Sequence, residues 1–342
     1  MSTLFNKPPA VMVDLMKKAG SNDPDVARPA QRLFAKAIEL PLNEALLAGD
    51  ILGGLFQTVD LTNGESLEYP VDILNPGDEE DFIAWVCPDQ GRIPERQVSS
   101  DYVALKTFKI ANSIDMNLRV IRDANWDVLS RALEVMRAGF VMKMNVDGWR
   151  TLITSAQSRG LQVFDDAATA TQGYMTRRVM SLMNIEMRRN GGRFTHLNRR
   201  RMTHLFVSPE VMEDIRLWDL SEVDEITRRE LFLTDNDSIP RLAGVTMVDL
   251  DEFGVNQVHN DYYLQLTGTA AATPTMGTVA NPKEEMIIGA DLRNPPFVMP
   301  VRESLMITND DILHRKQKAG FYGWFESGYA ALDNRYLLVG AV

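Results

Sequence analysis

The side chains of this chain that could bind a metal ion are a few histidines and carboxylates in its second half. His259 and Asp261 follow Asp249, Asp251 and Glu252 along the sequence. A zinc site needs ligands that converge on one point, and the spacing of these five residues does not supply that geometry. We therefore expect no metal site among them.

Two other groups of polar residues also fall short of a metal site. His196 and His204 lie near arginines, whose positive charge disfavours a bound cation. Asp235 and Asp237 lack the remaining ligands and the glycine of a calcium-binding loop.

Motifs of catalysis and of nucleotide binding are absent from the sequence. It contains no G-x-S-x-G, no G-x-G-x-x-G, no glycine-rich phosphate loop and no H-E-x-x-H. Cys87 is the single cysteine, which excludes an internal disulfide and a cysteine-rich zinc site. We expect a protein that is not an enzyme and has no cofactor. The alternative is an enzyme with an unrecognised site, in which replacing His204, His259 or Asp251 abolishes turnover.

The stretch from Gln57 to Asp101, here called the acidic segment, has eleven acidic residues and two basic ones, a local net charge of −9. A loop of this length without structure of its own is unusual inside a compact domain. We therefore predict an extended loop that lies on a neighbouring subunit, with a solvated acidic loop as the alternative. The residues predicted to make the contact are Asp78, Glu79, Glu80, Asp81, Phe82, Trp85, Arg92 and Arg96.

An arginine cluster follows later in the chain, with Glu186 as its only acidic residue. Its members are Arg177, Arg178, Arg188, Arg189, Arg193, Arg199, Arg200 and Arg201. Such a cluster predicts either salt bridges to another subunit or contact with packaged DNA. The overall acidity of the chain favours the first interpretation, because a protein that reads nucleic acid needs an excess of basic residues.

Composition sets the class of protein. The chain has 342 residues, is 45% hydrophobic and carries a formal charge of −11, so it is globular and poorly suited to coating nucleic acid. No apolar run approaches the roughly 18 residues of a membrane span, and the N-terminus does not resemble a signal peptide. We expect a protein made and retained in a cytoplasm, without a membrane partner.

The element best able to support the charged segments is a long helix. Apolar residues recur with a period of 3.6 from Asp123 to about Gln157, without an internal proline, and Asp123 is the predicted N-cap. Such a helix is about 50 Å long. This length is typical of a structural spine rather than of one wall of a pocket.

The flanking segments predict an arm and several strands. Residues 1 to about 24 predict an extended N-terminal arm with one brief helical turn at most, and the helical material that follows is predicted to be kinked or broken at Pro29 and Pro41. Asn63-Gly64 predicts a hairpin between the strands on either side. The last 25 residues predict two strands that pair with each other and are joined near Asp333.

A second strand and helix carry clearer local signals. Residues 203–207 predict a buried strand, Ser208 an N-cap, and Pro209 the first position of a helix that runs to about Trp218. A further strand is predicted over 242–248.

Two of these passages resemble the major capsid proteins of tailed bacteriophages. The residues from Tyr102 to Ala111, then Ile114-Asp115-Met116 and Arg122-Asp123-Ala124, resemble the return strand of the extended loop as it enters the spine helix of that family. The order strand, Ser208-Pro209, helix and glycine-valine strand resembles its axial domain. The family shares the Hong Kong 97-type coat fold with encapsulins and herpesvirus capsid floors.

The resemblance implies an α+β protein of the Hong Kong 97-type capsid fold. Its implied parts are an N-terminal arm and helix (1–54), an extended loop (55–105), a peripheral domain with the spine helix (106–160 and 283–342) and an axial domain (161–282). Members of the family that cross-link chemically use a lysine on the extended loop. Because no lysine lies between Lys36 and Lys106, no such bond is expected here.

The implied function is assembly through hexamers and pentamers into an icosahedral shell around double-stranded DNA. The implied partners are other copies of the chain, non-specifically bound DNA, and portal, scaffolding or decoration proteins. The implied location is the virion, after assembly in the bacterial host cytoplasm. An encapsulin-like nanocompartment is the alternative with the same fold.

Overall fold

The computed structural model describes residues 10–21, 23–48, 54–61, 68–71, 101–123, 126–157, 162–163, 175–189, 200–218, 241–242, 244–254, 257–267, 285–309 and 318–341. The helices are α1 Ala10–Ala19, α2 Pro24–Ala48, α3 Leu118–Arg122, α4 Trp126–Gln157, α5 Arg177–Arg189, α6 Pro209–Arg216 and α7 Val258–Thr267. The strands are β1 Gln57–Asp60, β2 Glu68–Val71, β3 Asp101–Ala104, β4 Phe108–Asn117, β5 Gln162–Val163, β6 His204–Val207, β7 Arg241–Leu242, β8 Val245–Asp249, β9 Met286–Ala290, β10 Phe297–Asn309, β11 Lys318–Ser327, β12 Ala330–Ala331 and β13 Leu337–Ala341. No helix in these ranges is both long enough and apolar enough to cross a bilayer.

The predicted long helix is confirmed as α4, which has 32 residues. Its side chains Leu133, Met136, Phe140 and Met144 are buried at the predicted spacing. The predicted N-cap is wrong, because Asp123 closes the short helix α3, where its backbone N–H donates to the carbonyl oxygen of residue 119. The chain therefore enters the long helix through a separate helical turn.

The chain divides into two compact units, and the first contains α1, α2, α3 and α4 up to residue 147. Its sheet has the strand order β1-β10-β11-β4, in which β1 is parallel to β10 and the other pairs are antiparallel. Helix α4 packs closely on this sheet at Gly323, where a Cβ atom would lie 2.9 Å from Cε of Met136. The Asn112 side chain on β4 donates a hydrogen bond to the backbone carbonyl of Met136. The long helix is thus fixed to the sheet by packing and by a polar contact.

The predicted N-terminal arm is wrong for the residues that the structure describes. Helix α1 packs against α2 and α3, and Met16 and Ala19 are buried within the chain. The buried amide of Gln31 donates to the carbonyl of Ala19 at 3.0 Å, and the ring of Phe34 lies 5.5 Å from that of Phe321 on β11. Small and apolar side chains on α2 thus let α2 pack on β11 and let α1 pack on α2.

Of the kink or break predicted at Pro29 and Pro41, a break is wrong, since α2 continues through both positions for 25 residues. A proline lacks one helical N–H, and this loss is offset where the helix has tertiary packing to hold it.

Gly20 permits the close approach of α1 to α3, and its replacement gives a first prediction. A Cβ atom at this position would lie 2.6 Å from the backbone nitrogen and Cα of Arg122. We expect Gly20→Ala to lower the free energy of unfolding by about 1–3 kcal/mol, because backbone atoms must move apart. Urea unfolding followed by circular dichroism measures the change. Gly54→Ala is the matched control, since no atom lies within 4 Å of a Cβ there, and an equal loss in both variants would contradict the steric account.

The second unit has a sheet with the strand order β5-β13-β9-β6-β8-β7. Strand β6 is parallel to β8 and antiparallel to β9. The last turns of α4 lie in this unit, where the ring of Trp149 stands 5.1 Å from that of Phe206 and 5.0 Å from that of Phe253. The predicted strand, N-cap and helix around Ser208 are confirmed: the Ser208 hydroxyl accepts from the backbone N–H of Val211, and α6 ends at Arg216.

Two predictions of local pairing are wrong. Strand β1 pairs with β10 and β2 with β3, so the described strands on either side of Asn63-Gly64 do not pair with each other. Strand β13 pairs with β9 and β5, not with β11. In both cases hydrogen bonds to a strand farther away in sequence replace those to the nearest one.

The predicted strand over 242–248 is confirmed for most of its length as β8, Val245–Asp249. It is preceded by a turn at Gly244, whose φ is 81°, and this turn joins it to its partner β7.

The same pairings bear on the domain limits that the resemblance implied. Strand β9 lies within the implied peripheral range 283–342, yet its hydrogen-bonded neighbour β6 lies within the implied axial range. Strand β13 joins this sheet through β9.

Candidate functional site

Helix α5 carries four of the arginines predicted to make contacts, and its buried face explains its position. Val179, Met180, Met183 and Met187 face a core that also contains Met202 from the segment before β6. The core is rich in methionine, whose flexible side chain fills irregular space. The opposite face of α5 is left to solvent.

The segment that leads into α5 is fastened to α6. The indole Nε1 of Trp218 donates to the backbone carbonyl of Met175 at 2.7 Å. The backbone N–H of Met175 in turn donates to Oδ2 of Asp214 at 3.1 Å. Burial raises the pKa of Asp214, an effect that this hydrogen bond partly opposes. The backbone carbonyl and the backbone N–H of Met175 are therefore both held by hydrogen bonds.

The exposed arginines of α5 lie at its two ends. Arg177 and Arg178 lie in the first turn, and Arg188 and Arg189 in the last turn. All four are exposed, with Ile185 between them 40% exposed. The last-turn pair is favoured by the negative end of the helix dipole. The helix therefore presents two positive patches about 16 Å apart, an estimate from its rise per residue.

Arg200 behaves differently from the arginines of α5. Its side chain is 10% exposed, and one of its terminal nitrogens lies 3.2 Å from Oδ2 of Asp333. Its guanidinium stands 3.8 Å from the ring centre of Tyr336. Arg200 is thus bound within its own chain and is not the surface cation that its place in the sequence cluster predicted.

Asp333 is the centre of a buried ionic network. Nε of Arg335, a residue that is 5% exposed, lies 2.8 Å from Oδ1 of Asp333. Burial alone would raise the pKa of Asp333, but the hydrogen bonds and charge of Arg335, together with the charge of Arg200, outweigh it and hold the pKa below its usual value. This network fixes the turn before the last strand onto the segment before β6.

Arg201 lies beside a second, smaller network. Its side chain is exposed, while its backbone N–H donates to Oδ2 of Asp291 at 2.9 Å. Burial alone would raise the pKa of Asp291. The hydrogen bonds from Arg293 and from this N–H outweigh that effect, so the pKa lies below its usual value. The remaining predicted contact residues lie outside the described residues: Asp78, Glu79, Glu80, Asp81, Phe82, Trp85, Arg92, Arg96, Arg193 and Arg199.

Among the described residues there are two histidines, and His259 lies in the hydrophobic core. His259 is 1% exposed, with its ring 6.1 Å from that of Trp149 and 5.8 Å from that of Phe253. Burial, with the charge of Arg150, lowers its pKa to about 4. Burial and the charge of Arg241 likewise lower the pKa of His204. In the described part of the chain no three histidine, cysteine or carboxylate side chains are grouped to hold a metal ion.

The structure also shows a basic surface that the sequence reading missed. Arg28, Arg32 and Lys36 follow one another at four-residue spacing on the exposed side of α2. The spacing was visible in the sequence, but the two prolines argued against a continuous helix there.

The sequence matches no family model and no curated protein. Solved structures do match. A structure from Microbacterium phage Oxtober96 is 13% identical with a TM-score of 0.57, covering 86% of this chain and 90% of the other. The capsid of an empty GTA particle is 13% identical with a TM-score of 0.54, covering 86% and 89%. The mature capsid of bacteriophage PhiM1 is 11% identical with a TM-score of 0.50, covering 85% and 86%. The predicted Hong Kong 97-type capsid fold is confirmed.

Proposed function

We propose, from this capsid fold, that the protein is the major capsid protein of a tailed bacteriophage. In this proposal it assembles through hexamers and pentamers into an icosahedral shell that encloses double-stranded DNA. The observation that carries the proposal is the likeness to the capsids of a bacteriophage and of a GTA particle over more than four fifths of each chain. The virion is then its location, and the bacterial cytoplasm its place of assembly.

A shell of this kind has a simple physical requirement. A closed ring of identical subunits joins two different faces of each subunit, and those faces must be complementary. The chain carries a strongly acidic segment and several exposed arginines, which is a source of such complementarity. Many weak contacts then sum in the assembled shell, because each one raises the effective concentration for the next.

The predicted contact residues keep their roles in this proposal. The exposed arginines of α5, together with Arg200 and Arg201, are proposed to face either a neighbouring copy or the DNA inside the shell. The residues of the acidic segment are proposed to reach an adjacent copy. Arg200 differs from the others in that it also binds Asp333 within its own chain.

Purified protein tests the proposal directly. The full-length chain is expressed alone and with candidate scaffolding and portal proteins from the same genome, and the product is examined by sizing chromatography and negative-stain microscopy. We expect closed shells of uniform diameter. A monodisperse small oligomer under every one of these conditions would contradict the proposal.

The contents of the shells test the cargo. Particles from a packaging-competent lysate are expected to hold double-stranded DNA that becomes sensitive to nuclease only after the shell is opened. Shells that hold a folded enzyme and no DNA would instead identify a nanocompartment with the same fold.

A further inference from the structure

The exposed side of α2 carries a row of positive charge. Arg28, Arg32 and Lys36, here called the basic row, are all exposed. The row is about 12 Å long, from the helical rise over eight residues. No acidic residue interrupts it, although α2 as a whole balances its three basic residues with Asp25, Glu39 and Glu44. The basic row is therefore a local strip of positive charge in a chain of net charge −11.

Apolar side chains lie next to the basic row. Val26 is 45% exposed and Leu33 is 60% exposed, and their seven-residue spacing places them along one line of the helix. The opposite side of α2, with Ala27, Ala30 and Phe34, is buried. The outer face of α2 is thus basic on one side and aliphatic on the other.

The support under this face is rigid. The buried hydrogen bond from Gln31 to the carbonyl of Ala19 ties α2 to α1. The contact between the rings of Phe34 and Phe321 ties α2 to β11. A surface on a packed helix loses little conformational entropy when a partner binds, which favours a specific contact.

We propose that this face of α2 binds the middle of the acidic segment, Asp78–Val86, from a second copy of the chain. The inference rests on the proposed function, because it supplies one of the contacts that a shell requires. The partner segment begins with four consecutive acids and continues with Phe82, Ile83, Trp85 and Val86. Four residues of an extended chain span about 13 Å, which matches the length of the basic row.

The apolar line distinguishes this partner from nucleic acid. A phosphate backbone would neutralise the arginines and the lysine but would leave Val26 and Leu33 facing water. A segment with aromatic and aliphatic residues directly after its acids covers both sides of the face. The charge and the apolar residues occur together in the sequence 78–86, as they do on α2.

Helix α5 fits the same segment less well. Its arginines stand in two pairs at opposite ends of the helix, and Glu186 lies between them. Four adjacent acids cannot meet both pairs at once and would approach Glu186. We therefore assign the acidic segment to α2 and leave α5 for another contact.

Charge reversal tests the assignment. We expect Arg28→Glu with Lys36→Glu, and separately Glu79→Lys with Asp81→Lys, to lower the yield of shells by about tenfold or more, since like charges then face each other. Both proteins should keep the circular dichroism spectrum of the wild type. The chain with all four substitutions has an unchanged net charge and is expected to recover most of the yield. Failure of that recovery would overturn the pairing.

Two further experiments separate the competing explanations. Combining Glu79→Lys and Asp81→Lys with Arg188→Glu and Arg189→Glu makes the same charge exchange with α5, and recovery there would assign the segment to α5 and overturn the proposal. Normal shells that lack nucleic acid in the α2 variant would show a nucleic-acid surface and would also overturn it. If the wild-type chain forms shells, the proposed function stands whichever of these results the variants give.

Mixing the two reversed proteins shows whether the contact is between copies. Each offers the surface that the other lacks, so co-expression with different tags is expected to yield mixed oligomers with an even number of subunits. Odd-numbered rings cannot alternate and should be depleted. If the fourfold variant assembles but the mixture does not, the contact lies within one chain and the proposal is wrong.

Discussion

Replacing Asp333 with asparagine is expected to lower the free energy of unfolding by about 3–5 kcal/mol, the range for removing one partner of a buried ion pair. Asp333 accepts from Arg335 and lies beside Arg200, and the exposed fractions of those two side chains are 6% and 10%. The asparagine amide keeps the shape of the side chain but removes the negative charge that Asp333 presents to the two guanidinium groups. Urea unfolding of the unassembled subunit measures the loss.

Asp14→Asn is the matched control for this experiment. Asp14 lies 3.0 Å from Lys18 on α1, and both side chains are more than half exposed. An exposed pair of this kind contributes about 0–1 kcal/mol. Equal effects at Asp14 and Asp333 would contradict the view that burial gives the Asp333 network its strength.

Acid should remove the difference in the free energy of unfolding between the wild type and Asp333→Asn. The pKa of Asp333 is lowered in the folded chain, so the unfolded chain takes up a proton first as the pH falls. The stabilisation is present above the pKa of an unfolded aspartate, about 3.9, and is lost as the pH falls through the folded value. We expect the difference between the two proteins to shrink below about pH 4. A difference that stays constant down to pH 2 would contradict this account.

Acidification from pH 7 to pH 4 is expected to destabilise the second unit by up to about 3 kcal/mol through His259 alone. The pKa of His259 falls to about 4 in the folded chain from a usual value of 6.5. Between these values the unfolded chain binds a proton that the folded chain does not, so stability decreases as the pH falls. The physical cause is the enclosure of the ring by Trp149 and Phe253.

The comparison with His259→Gln isolates this effect. The pKa of His204 is also lowered, so the His259→Gln variant keeps some pH dependence of the same sign. The stability of the wild type minus that of the variant is therefore measured by urea unfolding at several values between pH 7 and pH 4. We expect this difference to decrease steadily as the pH is lowered from 7 to 4. A difference independent of pH would show that His259 is not held neutral in the fold.

Local features of the sequence were sufficient for some elements. Helix α4 was predictable because its apolar repeat and lack of proline act within a few turns. The Ser208 cap and Pro209 were predictable for the same reason, since an N-cap depends on the next three residues. The resemblance to the capsid family rested on these local patterns, and the structural comparison confirms the fold.

The arginine cluster shows where local reasoning fails. Arg200 and Arg201 are adjacent, yet Arg200 is buried against Asp333, which is 133 residues away in sequence, while the side chain of Arg201 is exposed. The sequence cannot distinguish them, because burial depends on which distant segment packs on each. The basic row on α2 was missed because proline in a helix is costly in isolation, whereas here tertiary packing supports it.

By itself the sequence determined the long helix α4, the Ser208 cap with α6 and the acidic segment, because periodicity, capping and charge are properties of neighbouring residues; the general fold followed from the resemblance to the capsid family. Only the tertiary structure decided that β1 pairs with β10 and β13 with β9, that α2 packs on β11 and α1 on α2, and which arginines reach the surface. These outcomes depend on contacts between segments far apart in the chain. Such contacts form only when the resulting packing and hydrogen bonds outweigh the entropy of closing long loops.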